Sequence, residues 1–168
     1  MPELPEVETV KLALVPALQG RTVSSAFVGR KDLRWPLPEN LAERLTGRQF
    51  TRLVRRGKYV MMMLDNGEVL LLHLGMSGSI RIHKDKPVLG KHDHFMLEMV
   101  PADDQGGVSY VVLNDPRRFG WIDLFPNRRW LTINYWPAWG QNRLVMNFLA
   151  RIFKLFSKAE PARSRTRC

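Results

Sequence analysis

Apolar residues recur at helical spacing near the start of the chain. Val7, Val10, Leu14 and Leu18 fall on one face of a 3.6-residue period, which predicts a helix over residues 4–18. Pro5 and Glu6 suit its first turn, and Pro16 is expected to kink or end it before Gly20. A second, shorter helix is predicted over 38–46, with Leu41 and Leu45 on one face. The pattern then changes to short apolar runs broken by polar and glycine-containing segments. These predict strands at 22–30, 48–55, 58–65, 68–74, 79–83, 93–100, 108–114 and 119–125. Asp65-Asn66-Gly67 sits between two such runs and reads as a tight hairpin turn, and 103–107 reads as another turn. Residues 59–64 are apolar on both faces, as in a strand covered from two sides. Many short strands predict a sandwich. The leading helix makes the fold class α+β: a two-layer β-sandwich of about eight strands, flanked by an N-terminal helix and a second short helix.

The texture changes after Phe125. Residues 127–168 hold three of the five tryptophans and no aspartate, and carry nine Lys+Arg against one acid. Most of the net charge of +10 therefore lies there, because residues 1–126 contribute only +2. Two regions follow from this: 1–125, and a divergent basic tail over 126–168 with an amphipathic helix at 144–156, whose apolar face is Val145, Phe148, Leu149, Ile152 and Phe156. That helix reads as core-facing, or as a cationic segment that docks on a membrane surface or another protein. From Ser157 onward the chain is basic and predicted to be disordered. The abrupt shift is also of the kind that translation in a wrong reading frame produces. The basic balance points to a polyanionic partner. No run is long and apolar enough to span a bilayer, and the acidic start is unlike a secretory signal. One cysteine, Cys168, excludes an internal disulfide and a four-cysteine zinc site within these 168 residues. An intracellular protein is expected.

Several residue groups carry candidate chemistry. Removal of Met1 would leave Pro2 with a free secondary amine. An α-amino group of pKa roughly 7.7–8.0 is partly neutral near pH 7 and attacks carbonyl carbons. Glu3 beside it is placed to handle protons, although Pro and Glu also suit a plain helix start. Lys58, in Arg55-Arg56-Gly57-Lys58, reads either as a solvated strand end or as a cation projecting into a cleft. His73-Leu74-Gly75-Met76-Ser77-Gly78 is a glycine-punctuated turn, in which Met76 is either core filler or exposed. Asn114-Asp115-Pro116-Arg117-Arg118-Phe119-Gly120 is a second such loop, with arginines for phosphates and an aromatic that stacks, wedges or fills the core. Lys91-His92-Asp93-His94 places two histidines and a carboxylate together, which is too few groups for a confident metal site.

Six segments together resemble the catalytic domain of the formamidopyrimidine-DNA glycosylases: PELPEVETV at the start, then LRWP (33–36), RRGKYV (55–60), HLGMSGSIRI (73–82), KHDHF (91–95) and NDPRRFGW (114–121). The opening string resembles this branch more than the branch preferring oxidised pyrimidines. The resemblance covers residues 1 to about 125 and implies a base-excision repair enzyme that is both glycosylase and abasic-site lyase, acting on oxidised purines through a Schiff base at Pro2. It implies Pro2, Glu3 and Lys58 as catalytic residues. It also implies DNA contacts from His92, Arg117, Met76 and Phe119, with His73 a weaker candidate. Met76, Arg117 and Phe119 would fill the space left by a flipped base. The implied partner is damaged double-stranded DNA, bound by a monomer that is cytoplasmic and nucleoid-associated when on DNA. The family's second half, a helix–two-turn–helix module and a four-cysteine zinc finger, has no counterpart in these residues, so no metal or other cofactor is expected. The competing expectations are a damaged-DNA binding module without turnover, and an inactive truncated or frameshifted product.

Overall fold

The computed structural model describes residues 3–103 and 106–126. The chain divides at Pro126/Asn127 into two units, and the described residues all belong to the first. Met1, Pro2 and the helix expected at 144–156 lie outside the described residues.

The elements run α1 (Leu4–Leu18), β1 (Arg21–Val28), α2 (Leu41–Leu45), β2 (Phe50–Arg56), β3 (Tyr59–Leu64), β4 (Glu68–His73), β5 (Ser79–His83), β6 (Asp93–Pro101), β7 (Ser109–Asn114) and β8 (Trp121–Pro126). Each predicted strand and helix is present in this region. Helix α2 is shorter than the predicted 38–46. Pro38 precedes it, and Asn40 sits in the left-handed region at φ 53°, so the helix starts only at Leu41. Helix α1 continues through Pro16 to Leu18, where the Gln19 N–H closes on the Val15 carbonyl at 2.9 Å.

The strands form two antiparallel sheets of four, ordered β1-β6-β7-β5 and β2-β3-β4-β8. Alternation places Val60, Met62 and Leu64 of β3, Leu70 and Leu72 of β4, and Ile122 and Leu124 of β8 in one core with Phe95, Leu97 and Met99 of β6 and Val111 and Leu113 of β7. Met61 and Leu71, on the opposite face, are buried too, which accounts for the two-faced apolar pattern of β3. Helix α1 touches strands of both sheets and adds Val7, Leu14 and Leu18 to that core. The predicted Asp65–Gly67 hairpin joins β3 to β4. Gly67 takes φ 80°, and the Asn66 side-chain oxygen accepts the Glu68 N–H at 3.0 Å.

The registers decide where the loops go. Tyr59, His73 and Trp121 align across one sheet, at the end where β2 turns into β3. Ser79, Asn114 and Asp93 align across the other, and β1 ends beside them at Val28, opposite Phe95. In the first sheet that end holds the turn at 57–58; the connection 74–78 leaves it after β4 and enters the second sheet at β5. The connection 115–120 likewise joins the aligned ends of β7 and β8. The turn at 65–67 and the described residues next to the other ends of β6 and β7, 102–103 and 106–108, lie at the opposite ends of their sheets. Helix α1 bridges to Phe50, at the far end of β2, through Gln19, so its N-terminus points toward the end with the 57–58 turn.

Leu14 is 1% exposed and Leu12 58% exposed on the same helix. Leu14→Ala is expected to lower the unfolding free energy by about 2–5 kcal/mol. Leu12→Ala is expected to change it by less than about 0.5 kcal/mol. Urea denaturation of both variants checks this.

Candidate nucleic-acid interface

Glu3 caps α1 in an extended conformation (φ −85°, ψ 172°) and is exposed. Its backbone N–H donates to Glu6 Oε2 at 3.1 Å, which fixes the helix start beside Pro2. One turn on, Glu8 accepts from Lys11 Nζ at 2.8 Å and from Arg55 Nε. These two hydrogen bonds hold its carboxyl below the ordinary value of 4.5. Arg55 Nη1 also donates to the Gly57 carbonyl at 3.0 Å. One guanidinium therefore ties the helix that follows Pro2 to the turn that carries Lys58. Gly57 makes that turn with φ 56°. Among the described residues, Glu3 and Lys58 share no hydrogen bond or ion pair; they share an end of the structure.

His73 closes β4 behind Lys58. Its Nδ1 accepts the Gly75 N–H at 3.1 Å, so the ring proton sits on Nε2. Burial lowers its pKa from the ordinary 6.5, and the charges of Arg34 and Lys58 lower it further. The result is a neutral imidazole with an Nε2–H donor beside two cations. Tyr59 packs against it at 4.8 Å between ring centroids and meets Trp121 edge-on at 5.8 Å.

The connections 74–78 and 115–120 dock backbone to backbone. Gly75, at φ 66°, lies against the carbonyl of Phe119, where a Cβ would collide with it. Two apolar side chains remain outside: Met76 is 47% and Phe119 38% exposed. The Arg117 guanidinium lies 5.2 Å from the Phe119 ring centroid, which is cation–π range. Beneath them Asp115 is fully buried. Its Oδ1 accepts from Ser77 Oγ at 2.7 Å and from the Arg118 N–H at 3.1 Å, and its Oδ2 accepts the Gly120 N–H at 2.7 Å. Ser77 Oγ in turn accepts the Arg117 N–H at 3.1 Å. Arg118 sits in the left-handed region at φ 57°. The segment Leu33–Pro36 joins this group through Arg34 N–H to the Gly120 carbonyl at 3.3 Å.

His92 is attached to the same centre. Its carbonyl accepts the Asp115 N–H at 2.9 Å, and His94 Nε2 lies 3.0 Å from the Asp115 carbonyl, as a donor. Next to it, Asp93 accepts from Asn114 Nδ2 at 2.8 Å, the Gly90 N–H at 2.7 Å and Arg81. Burial raises the Asp93 pKa, but those hydrogen bonds outweigh it and hold the carboxyl below its ordinary 3.8. His92 and His94 stand edge to face with centroids 6.4 Å apart. Among the described residues no three His, Cys, Asp or Glu side chains gather to hold an ion.

The family model for the formamidopyrimidine-DNA glycosylase N-terminal domain matches residues 1–122. The chain belongs to the formamidopyrimidine-DNA glycosylase family. A formamidopyrimidine-DNA glycosylase of Cereibacter sphaeroides is 52% identical over 134 residues, covering 75% of this chain and 45% of the relative. One from Rhizobium etli is 41% identical over 180 aligned positions, covering 98% of this chain and 59% of the relative, so that match continues past residue 126. The chain spans about half the length of the curated relatives it matches. Among solved structures, the complex of Lactococcus lactis Fpg with an abasic-site-containing DNA is 30% identical with a TM-score of 0.64, covering 77% of this chain and 46% of that one. No helix among the described residues is long and apolar enough to cross a membrane.

Two residues of this family member escaped the sequence reading, Asp115 and Ser77. The signal available was the Asp-Pro step, since an aspartate there readily bonds amides a few residues on. Its pairing with a serine 38 positions earlier has no local signature. For His73, the unfolded chain binds a proton more readily than the folded one, so stability is expected to fall as pH drops below about 6.5. His73→Asn keeps an acceptor for the Gly75 N–H and removes the titration. The slope of unfolding free energy between about pH 5 and 6.5 should be shallower in that variant.

Proposed function

We propose that this chain carries the catalytic domain of a DNA glycosylase and abasic-site lyase acting on oxidised purines in double-stranded DNA. The observation that carries the reading is the gathering, around Asp115, of the loops that bear His73, Met76, His92, Arg117 and Phe119. The Arg55 bridge from α1 to the Lys58 turn adds to it. The relative from Lactococcus lactis was solved with abasic-site DNA, which is the product class such a reaction forms.

In this reading Pro2 is the nucleophile. Its nitrogen lone pair forms a bond to C1′ as the bond from C1′ to the damaged base breaks, and the base leaves with that electron pair and a proton. Glu3 protonates the sugar-ring oxygen as the ring opens, leaving a cationic iminium at C1′. The cation acidifies the adjacent C2′ position, whose proton is then lost, and elimination expels the 3′ phosphate. A secondary amine suits this step because its iminium is charged without a further proton. Lys58 beside the neutral His73 assists the elimination and holds phosphate. Met76, Arg117 and Phe119 enter the space vacated by the damaged nucleotide and offset part of the lost stacking. The reading requires no metal or cofactor in these residues. It takes the protein as an intracellular monomer that meets DNA directly.

Borohydride trapping tests it. The chain incubated with a duplex containing an abasic site should give a covalent adduct, and Pro2→Gly should lose it. Glu3→Gln should slow base release by about 10²–10⁴-fold. Binding without an adduct would instead favour a damage-recognition module without turnover. Neither binding nor an adduct would contradict both readings.

A further inference from the structure

Asp115 has more contacts than its own loop needs. A self-contained turn requires the hydrogen bonds to the Arg118 and Gly120 amides; the bond to Ser77 Oγ leaves the loop and enters the neighbouring one. Ser77 then returns a bond to the Arg117 amide. The two loops are thus joined in both directions through one hydroxyl and one buried carboxylate. The Gly75–Phe119 backbone contact leaves no side chain between them. Arg118 is held at positive φ between Arg117 and Phe119. A non-glycine residue keeps that conformation only where its surroundings over-determine it. Here the surroundings are Asp115 Oδ1 and the Asp115 carbonyl, which both accept the Arg118 N–H.

We propose that Asp115 and Ser77 are positioning residues that make the Met76 loop and the Arg117–Phe119 loop a single wedge, so that the three side chains enter the duplex together. Neither residue touches the reacting atoms. Met76 and Phe119 project from loops 43 positions apart in sequence, and two independent loops would each lose ordering entropy on entering DNA. A pre-joined pair loses less. The proposal rests on the reading of these loops as DNA-facing.

Two measurements on the whole chain separate the proposal from that reading. The first needs no DNA. The Gly120 amide bonds to Asp115 and not to Ser77, so its hydrogen exchange reports transmission between the loops. In Ser77→Ala it should exchange about 3–10-fold faster, with the central strand β6 unchanged, and Ser77→Thr should restore the wild-type rate. An unchanged Gly120 rate in Ser77→Ala overturns the coupling. The second places 2-aminopurine opposite an abasic-site analogue in a duplex. The wild-type chain should change its fluorescence on binding, Ser77→Ala should lose most of that change at saturating protein, and Ser77→Thr should recover it. An equal change in Ser77→Ala and wild type overturns the single wedge. If the wild-type chain gives no change, the DNA-facing reading fails and the Gly120 exchange still decides the coupling.

Discussion

One buried carboxylate organises the end of this domain where the glycine-containing loops gather. Asp115 is withdrawn from solvent, and a carboxylate there is tolerated only when its oxygens are hydrogen-bonded. Its partners are the Ser77 hydroxyl and the amides of Arg118 and Gly120, while its own backbone bonds to His92 and His94. One residue therefore ties three segments: its side chain joins the connections after β4 and β7, and its backbone joins them to the entry to β6. Exposed Met76 and Phe119 stand on the outside of that arrangement. Their meaning comes from the loops they share with Arg117, whose guanidinium lies over the Phe119 ring, and it is on that grouping that the DNA-facing proposal rests.

The sandwich beneath it serves as a frame. Two four-stranded sheets and the inserted helix α1 share one apolar core, and their registers deliver the chain ends of β2, β4, β7 and the starts of β5 and β6 to matched positions. Ion pairs then fasten the parts. Glu8 and Arg55 link α1 to the β2–β3 turn, and Arg44 bonds Glu68 at 2.6 Å to hold α2 against β4. Burial raises the Glu68 carboxyl, but the hydrogen bonds from Arg44 and Asn66 more than offset it, so its pKa lies below 4.5. The chemistry proposed for Pro2, Glu3 and Lys58 would depend on this fastening, because a nucleophile next in sequence to a helix start is useful only where that start is held.

Much of this was legible in the sequence, for reasons that differ by element. The strands announced themselves because alternate apolar residues must face one core, and the Asp65–Gly67 hairpin because its turn needs a residue at positive φ. Helix α2 is shorter than the sequence pattern predicts, because Asn40 takes a left-handed conformation that no periodicity reveals. Motif resemblance brought in Met76, Arg117 and His92, while the register that gathers their segments belongs to the sheets. Side-chain pairings between distant positions stayed hidden: Ser77 with Asp115, and Glu8 with Arg55. Such pairs depend on which loops the sheets bring together, which single-chain spacing does not encode.

The central claim is that the sandwich end centred on Asp115 is the face that grips damaged DNA. Amide chemical-shift mapping tests it most directly, with the chain titrated by a duplex containing an abasic-site analogue. The account predicts perturbations concentrated at 31–36, 57–58, 73–78, 91–93 and 114–120, with residues 65–67 and 106–108 unmoved. Perturbations centred on 65–67 and 106–108, or none in the Asp115 loops at saturation, would contradict it.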